Sequence, residues 1–466
     1  MPRLPTHNTP TTLVLFGATG DLVARKMLPA LYHLHRRGLL PDHFRVVGVA
    51  RRPFTDQTFR ELARQALNEH LSSTPNPRTL ASFLQRLNYQ QTQLTEANDY
   101  ILLKQRLDAL DGEWGLCSNK LFSLSVTPEM YETVFEHLAT SRLAMGCGPK
   151  EGDFTRILVE KPFGNNAKSA ERLDEKLGTL FRENQIYRID HYLAKDMLQN
   201  MLTFRFSNLL LEPAWNQDHI ERIEITLLES LGVETRGDFY DHTGTLRDVG
   251  QNHLLQMLAL VTMDHPGSND GESIRATRAR ILTMLPIMSD ADVQTHTQRG
   301  QYHGYLDIEG VAPQSSTETS FRIETHLEHP RWKQVPIIIE AGKHASETRK
   351  EIVVTFKHPH PCLCPPGQPH DAKNQVIFRL EPDERITITF WSKKPGLEHT
   401  AEARAFEFIP RKRANERANE YEKLLLDAII GDTSLFVSTQ EIKAMWRFID
   451  PIVDAWKRNI IPLTLY

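Results

Sequence analysis

Leu13-Val14-Leu15-Phe16-Gly17-Ala18-Thr19-Gly20-Asp21-Leu22 is the stretch whose reading decides the fold. Four consecutive apolar residues read as a strand buried on both faces, where polar alternation is absent. Two glycines then allow a tight turn, and a helical apolar pattern runs from Val23 to about Leu34. A second β-rich run, Val46-Val47-Gly48-Val49-Ala50, follows. Strand, glycine-rich turn, helix and strand in this order open a dinucleotide-binding fold. Glycines let the backbone approach a pyrophosphate, and the helix N-terminus offers it N–H groups and positive potential. Gly17-Ala18-Thr19-Gly20 falls short of the full G-x-G-x-x-G pattern, so a purely structural strand-to-helix turn also fits. Under either reading Asp21 is expected to cap the helix.

The end of the second strand selects among dinucleotides. An acid there would bond the ribose 2′-hydroxyl of NAD. Here Ala50 is followed by Arg51 and Arg52, with no acid before Asp56. Two guanidiniums suit a 2′-phosphate, which predicts NADP with Arg51 as its main contact. A solvated basic turn is the alternative.

Further along, helical patterns fill much of Asp56–Leu87 and Tyr100–Leu110. Leu121–Val126 and Arg156–Val159 read as more parallel strands, so helices should cover both faces of one sheet. Glu160-Lys161-Pro162-Phe163-Gly164 follows the last of these directly, which places Lys161 at the cleft end of the sheet. Its X-Pro bond is a candidate for the cis form. Beyond Lys195 the pattern changes. Ile220–Leu228, Ile337–Ala341, Ile352–Phe356, Val376–Leu380 and Ile386–Trp391 alternate as strands, with helices over Asp248–Thr262 and Glu420–Gly431. The expected architecture is an N-terminal α/β Rossmann domain, residues 1–190, and a C-terminal α+β domain, residues 191–466, built on a large, mostly antiparallel sheet.

Composition narrows the function classes. The 466 residues carry a formal charge of −4, which argues against a nucleic-acid surface. No apolar run is long enough to span a membrane, and Met1–Thr12 lacks the plan of a signal peptide. Four cysteines make no disulfide framework, so Cys117 and Cys147 read as ordinary thiols. Cys362 and Cys364 share a proline-rich stretch with His358, His360 and His370, but one intervening residue is short of zinc spacing, and no metal is expected. These features point to the cytoplasm.

Two clusters carry the chemistry. Arg188-Ile189-Asp190-His191-Tyr192-Leu193-Ala194-Lys195 packs an acid, a histidine, a phenol and a lysine into eight residues. Arg247-Asp248-Val249-Gly250-Gln251-Asn252-His253 repeats the acid-plus-histidine theme. Brought together, they can make a base with an orienting acid beside an anion site.

Gly-Ala-Thr-Gly-Asp-Leu, Glu-Lys-Pro-Phe-Gly, Arg-Ile-Asp-His-Tyr-Leu-x-Lys and Arg-Asp-Val-x-Gln-Asn-His-Leu-Leu-Gln resemble the glucose-6-phosphate dehydrogenase family. Arg299–Tyr302, Ser316–Thr319, Ala341–Lys343 and Leu424–Ala428 extend the resemblance, in order, from about residue 12 to Trp456. It implies oxidation of glucose 6-phosphate at C1 to the 6-phosphogluconolactone with NADP⁺, the first step of the oxidative pentose phosphate pathway. Carried over by motif, His253 is the general base and Asp190 its orienting acid. His191, Tyr192, Lys195 and Lys343 are the phosphate donors. Glu229 and Asp248 accept from sugar hydroxyls, and Lys161 touches both substrate and cofactor. Gly17, Thr19, Gly20, Asp21, Leu22 and Arg51 hold the nucleotide. The separate roles of Asp190 and His191 require a non-helical backbone there. The resemblance also implies assembly as a homodimer, or a dimer of dimers, through the large sheet.

The chain departs from the family pattern at four places. Ser123 stands where the family usually has a tyrosine near the cofactor. Thr348 falls where a second basic residue follows Lys343, with Arg349, one step later, a candidate to compensate. Glu381 replaces a common glutamine, adding negative charge near the site. Lys457–Tyr466 lacks the family's usual ending. Two other readings stand beside this one: a dehydrogenase of similar fold for another sugar or sugar phosphate, and a catalytically silent nucleotide-binding regulatory homologue, which Ser123 and Thr348 keep open.

Overall fold

Strands without alternation become a parallel sheet. The computed structural model describes residues 9–146, 155–361, 373–397, 400–410 and 418–466. β1 (Thr11–Phe16), β2 (Phe44–Ala50), β3 (Leu87–Gln91), β4 (Asn119–Leu124), β5 (Thr155–Val159) and β6 (Ile186–Ile189) pair in the order β6-β5-β4-β1-β2-β3. Leu13, Leu15, Val46, Leu121 and Leu158 face one core. Val14, Phe16, Val47, Val49, Phe122 and Leu124 face another. Burial on both sides removes any need for polar positions. Strand order reverses between β1 and β4, where open α/β sheets leave a crevice at the carboxyl ends.

A seventh strand, Phe436–Val437, closes the β6 edge in antiparallel sense. The helix before it, Glu420–Ile430, packs on Leu28–Arg36, and Glu422 pairs there with His33 at 3.0 Å and Arg37 at 3.1 Å. The C-terminal part of the chain therefore returns to the first sheet.

The second sheet comprises β7 (Ile220–Leu228), β8 (Thr297–Gln301), β9 (Ser320–Thr325), β10 (Ile337–Gly342), β11 (Arg349–Phe356), β12 (Gln375–Glu381), β13 (Arg385–Lys393), β14 (Ala401–Phe408) and the terminal Leu463–Leu465. Their order is β14-β13-β12-β11-β7-β10-β9-β8, with Leu463–Leu465 beside β8. All pairs are antiparallel except β7 with β10 and β8 with Leu463–Leu465. Ile223, Ile225, Ile339, Ile352 and Val354 share a core with Leu254, Leu258 and Val261, which seats the His253 helix on the sheet.

That helix, expected over Asp248–Thr262, is a π segment, Leu246–Leu254, followed by α-helix Leu255–Thr262. Gly250 is needed there because a Cβ would meet the Phe321 ring at 2.9 Å. The expectation of an ordinary thiol at Cys117 is corrected: it is disulfide-bonded, a pairing the cysteine spacing does not announce. Cys147, Cys362, Cys364 and His370 lie outside the described residues. No helix among the described residues is long and apolar enough to cross a membrane.

Candidate active site

The turn after β1 sits at the crevice. Gly17 has φ +78°, and a Cβ there would lie 2.1 Å from the Ser125 carbonyl oxygen at the end of β4. Only glycine fits this approach of two strand ends. Gly17 and Ala18 N–H groups bond the Val49 carbonyl at 2.9 and 3.2 Å, which ties the turn to β2. Thr19, Gly20, Asp21 and Leu22 remain at least partly exposed where the helix begins. Asp21 does not cap that helix. Its carboxylate pairs with Arg25 one turn on, at 2.5 Å, and the first turn has no side-chain cap. Backbone N–H groups are thereby left for an anion.

Arg51 and Arg52 are both exposed beyond β2. The next acid, Asp56, is committed elsewhere. It accepts from the Tyr89 N–H at 2.8 Å, from Asn88 at 3.0 Å and from Arg106 at 2.7 Å. These residues fit a dinucleotide with a 2′-phosphate: a glycine cradle, an uncapped helix start and two free-standing guanidiniums. Ser123 does not face this crevice. It is 1% exposed, and its hydroxyl lies 3.9 Å from the Met27 sulfur inside the sheet.

β6 ends at Ile189, and residues 191–194 form a turn before the helix Asp196–Phe206. The non-helical backbone expected between Asp190 and His191 is present. Asp190 Oδ1 accepts from the Tyr192 N–H at 3.0 Å and meets His253 Nδ1 at 2.6 Å. His253 is 1% exposed. Its other nitrogen, Nε2, lies 3.0 Å from Lys161 Nζ, which also donates to the Asp248 carbonyl at 3.0 Å. Asp248 and His253 are five residues apart on the π segment, the spacing that stacks them on one face toward Lys161. The Lys161–Pro162 peptide is cis. The Tyr192 ring stacks on the His253 ring at 4.1 Å, and His191 meets it edge-on at 4.8 Å.

Electrostatics follow from burial and neighbours. Desolvation and the Lys161 ammonium lower the His253 proton affinity, although Asp190 opposes them. Burial works against the Asp190 anion, yet His253 and Lys161 outweigh it and hold its carboxyl at about 2. The assignment that satisfies both is an Asp190 carboxylate accepting from Nδ1–H of a neutral ring, with the Nε2 lone pair toward Lys161. Burial and the neighbouring His253 push His191 down to about 3, so it donates as a neutral N–H and not as a cation. Donor atoms of Asp190, His191 and His253 lie within 4.8 Å of one another. The Lys161 ammonium beside Nε2 is a poor neighbour for a metal ion, and the trio suits an acid–base pair better.

Beside this pair lies a charged cluster. Lys195 reaches Glu381 at 3.0 Å and Glu420 at 3.7 Å. Lys343, just beyond β10, pairs with Glu229 at the end of β7. Lys350, on β11, bridges Glu229 at 3.0 Å and Glu381 at 2.7 Å. Burial opposes ionisation of Glu229, but Lys343 and Lys350 lower its carboxyl to about 2. Lys350 is the residue that sequence reasoning missed. Arg349, the expected compensating base, points to the other face and pairs with Glu347 and Glu351. Thr348 bonds Ser230 instead, through its hydroxyl and the Ser230 N–H. The signal was available: alternation along β11 puts Lys350, not Arg349, on the Lys343 side. Tyr466 was missed too. Its hydroxyl donates to the Lys343 carbonyl at 2.7 Å and so fixes that backbone.

Comparison with known proteins gives the family of both halves of the chain. Residues 14–200 match the family model described as glucose-6-phosphate dehydrogenase, NAD binding domain, and residues 202–466 match its C-terminal domain. Glucose-6-phosphate 1-dehydrogenase of Aggregatibacter actinomycetemcomitans is 39% identical over 454 residues, covering 95% of this chain and 90% of its relative. That of Treponema pallidum is 36% identical over 479 residues, covering 98% and 91%. A solved glucose-6-phosphate dehydrogenase in complex with its substrate glucose-6-phosphate superposes with TM-score 0.88 at 31% identity, over 98% of this chain and 94% of that one. A levoglucosan dehydrogenase shares the fold alone, at TM-score 0.52 and 10% identity. Both halves of the sequence, and the fold that joins them, place this chain in the glucose-6-phosphate dehydrogenase family.

Proposed function

We propose that the protein oxidises D-glucose 6-phosphate at C1 to 6-phospho-D-glucono-1,5-lactone, with NADP⁺ as partner, as the first step of the oxidative pentose phosphate pathway. The observation that carries this reading is the line Lys161–His253–Asp190. One nitrogen of a buried neutral imidazole is fixed by a carboxylate, and the other faces an ammonium 3.0 Å away.

The C1 hydroxyl enters between Lys161 Nζ and His253 Nε2. The hydroxyl proton passes to Nε2 as C1 loses hydride and becomes the lactone carbonyl carbon. Asp190 keeps the ring in the productive tautomer and stabilises the imidazolium. Lys161 donates to the oxygen while it carries excess charge. Bound NADP⁺ supplies the hydride acceptor. Thr19, Asp21 and Leu22 would offer its pyrophosphate backbone N–H groups, Gly17 and Gly20, whose own N–H groups bond the Val49 and Gly17 carbonyls, would let it approach closely, and Arg51 would take its 2′-phosphate. Lys195 and Lys343 take the phosphate ester, helped by the neutral donors His191 and Tyr192. Glu229 and Asp248 accept from sugar hydroxyls.

The roles divide near residue 190, nucleotide mainly before it and substrate mainly after it, with Lys161 serving both and Glu420–Val437 returning to the first part. We also propose a homodimer through the outer strands of the large sheet. Phe390, Trp391, Phe406, Phe408 and Ile409 on and beside β13 and β14 are between 39% and 65% exposed, a large apolar area for a protein surface. Sedimentation of the intact protein tests this. The compartment we propose is the cytoplasm, where phosphorylated sugars and nicotinamide dinucleotides are held.

Absorbance of the reduced nicotinamide decides the activity. Rapid reduction of NADP⁺ with glucose 6-phosphate, and not with glucose, is expected. Turnover of glucose alone would move the reading to a sugar dehydrogenase without an anion site. Nucleotide binding without any reduction would favour a silent homologue.

A further inference from the structure

The cluster beside the base contains a lysine that none of the family motifs quoted above supplies. Lys350 is 7% exposed, and its ammonium meets Glu229 at 3.0 Å and Glu381 at 2.7 Å. Its charge also acts on the buried Tyr192 phenol. Both carboxylates that Lys350 pairs with thus belong to the charged cluster beside the base.

The backbone builds this contact. Glu351 is opposite Arg379 across β11 and β12, so regular pairing would set Lys350 opposite Leu380. A β-bulge intervenes, and Lys350 faces Glu381 instead. Glu381 in turn holds Lys195 at 3.0 Å. One carboxylate therefore gathers two lysines from different elements, β11 and the start of the helix Asp196–Phe206.

We propose that Lys350 is a third cationic donor to the phosphate ester, and that Glu381 is the counter-charge that keeps Lys350 and Lys195 at the site until the ester replaces it. The proposal rests on the reading that Lys195 and Lys343 receive the phosphate. Charge is the argument. Lys195, Lys343 and Lys350 face Glu229 and Glu381 within 3.0 Å, and Glu420 stands farther off at 3.7 Å. Without Lys350, Lys195 and Lys343 would meet Glu229 and Glu381 two against two, with no positive surplus for an ester of charge near −2. Lys350 restores it. Thr348 and Glu381, the two departures that threaten phosphate affinity, are thereby offset by one residue two positions along the strand. Burial disfavours the ammonium, but Tyr192, Glu381 and Glu229 outweigh it and hold Lys350 above the ordinary lysine range, so it stays charged.

The test is a double-mutant cycle on steady-state kinetics with glucose 6-phosphate and NADP⁺. Lys350→Met, which removes the ammonium and keeps most of the unbranched stem, should raise KM for glucose 6-phosphate roughly 10–100-fold, as for one lost charge-assisted hydrogen bond. It should leave kcat and KM for NADP⁺ within about twofold. Glu381→Gln should lower KM for glucose 6-phosphate, because it removes a competing anion. The double variant should recover to within about threefold of the parent, and Lys350→Arg should stay near the parent. An unchanged KM in Lys350→Met, or a double variant as poor as the single one, would overturn the proposal. If Lys350→Met does not fold, Glu381→Gln decides alone: a raised KM would make the pair a structural bridge. Lys195→Ala is measured alongside. Should it leave KM unaltered, the phosphate site itself is misplaced, an outcome separate from the failure of Lys350.

Discussion

Replacing Asp190 by asparagine isolates the charge of the orienting acid from its geometry. Asp190 Oδ1 accepts two hydrogen bonds, from the Tyr192 N–H at 3.0 Å and from His253 Nδ1 at 2.6 Å. Both need an acceptor, so the asparagine oxygen takes the Oδ1 place and the Nδ1–H tautomer survives. The amide nitrogen then falls at Oδ2, which is buried without a hydrogen-bond partner, and costs ~1 kcal/mol or more of stability. The rate effect comes from the imidazolium. A full charge pair at about 4 Å in a partly polar interior is worth ~4 kcal/mol, and a half-transferred proton experiences ~2 kcal/mol of it. The expected loss is therefore about 30-fold in kcat, and up to ~150-fold where hydrogen-bond weakening adds to it. KM for glucose 6-phosphate should move by less than about threefold, because the carboxylate does not touch the sugar. The ring also binds its proton less tightly, so the acid limb of the kcat profile should shift to lower pH. Initial rates over pH 5–9 read all three (a window of ordinary assay pH, about two units either side of neutrality). An unchanged kcat would remove Asp190 from the mechanism, and a loss confined to KM would make it a substrate ligand.

Three further outcomes are expected. His253→Asn should cut kcat by at least about 100-fold with nearly unchanged substrate binding, as for loss of a general base; survival of kcat would mean another base. Arg51→Ala should raise KM for NADP⁺ far more than KM for NAD⁺, and equal effects would end the 2′-phosphate assignment. Glu160, next to Lys161, accepts from the Tyr421 hydroxyl at 3.1 Å, and burial pushes its carboxyl from 4.5 up to about 7. The folded state then binds more protons than the unfolded one between these values, so stability falls as pH rises through that window. Glu160→Gln removes this penalty. Its melting temperature should exceed the parent's at pH 8 by the equivalent of ~1–2 kcal/mol, discounted for partial exposure, and match it near pH 4.

The strands that sequence reveals best are those buried on both faces or cleanly alternating. β1, β2, β7 and β10 to β13 appear where their apolar patterns put them. β6 was hidden because Arg188 interrupts it. That guanidinium is 2% exposed, satisfied by Asp174, Glu183 and Thr439, and no strand pattern reveals that a charge will be paired, least of all by Thr439 from the far end of the chain. The helix Thr439–Lys457 was hidden by Pro451 inside it. Asp190, His253, Lys161 and Lys195 were legible as motifs, because each lies in a dense run of reactive residues. Lys350 was legible only as a face, because alternation along β11 puts it on the Lys343 side while a lysine in a strand sequence resembles any solvated position. What gives it a role is the bulge that turns Glu381 toward it, a feature of pairing between β11 and β12 and not of either strand alone.

Asp190 and Lys161 act on one imidazole from opposite ends with opposite signs. Asp190 raises its affinity for a proton and Lys161 lowers it. Before substrate binds, the balance favours the neutral ring, so the base is ready without carrying a proton that would have to leave first. In the mechanism we propose, entry of the C1 hydroxyl between Nε2 and Nζ changes this balance. The ammonium no longer donates to the lone pair, and its donation passes to the oxygen about to lose a proton. The same insertion therefore strengthens the base and acidifies the hydroxyl. Asp190 cannot follow, because the Tyr192 N–H holds it in place. In that mechanism a lysine that moves its hydrogen bond and an aspartate that keeps its own together let a buried histidine accept the proton when the substrate brings it.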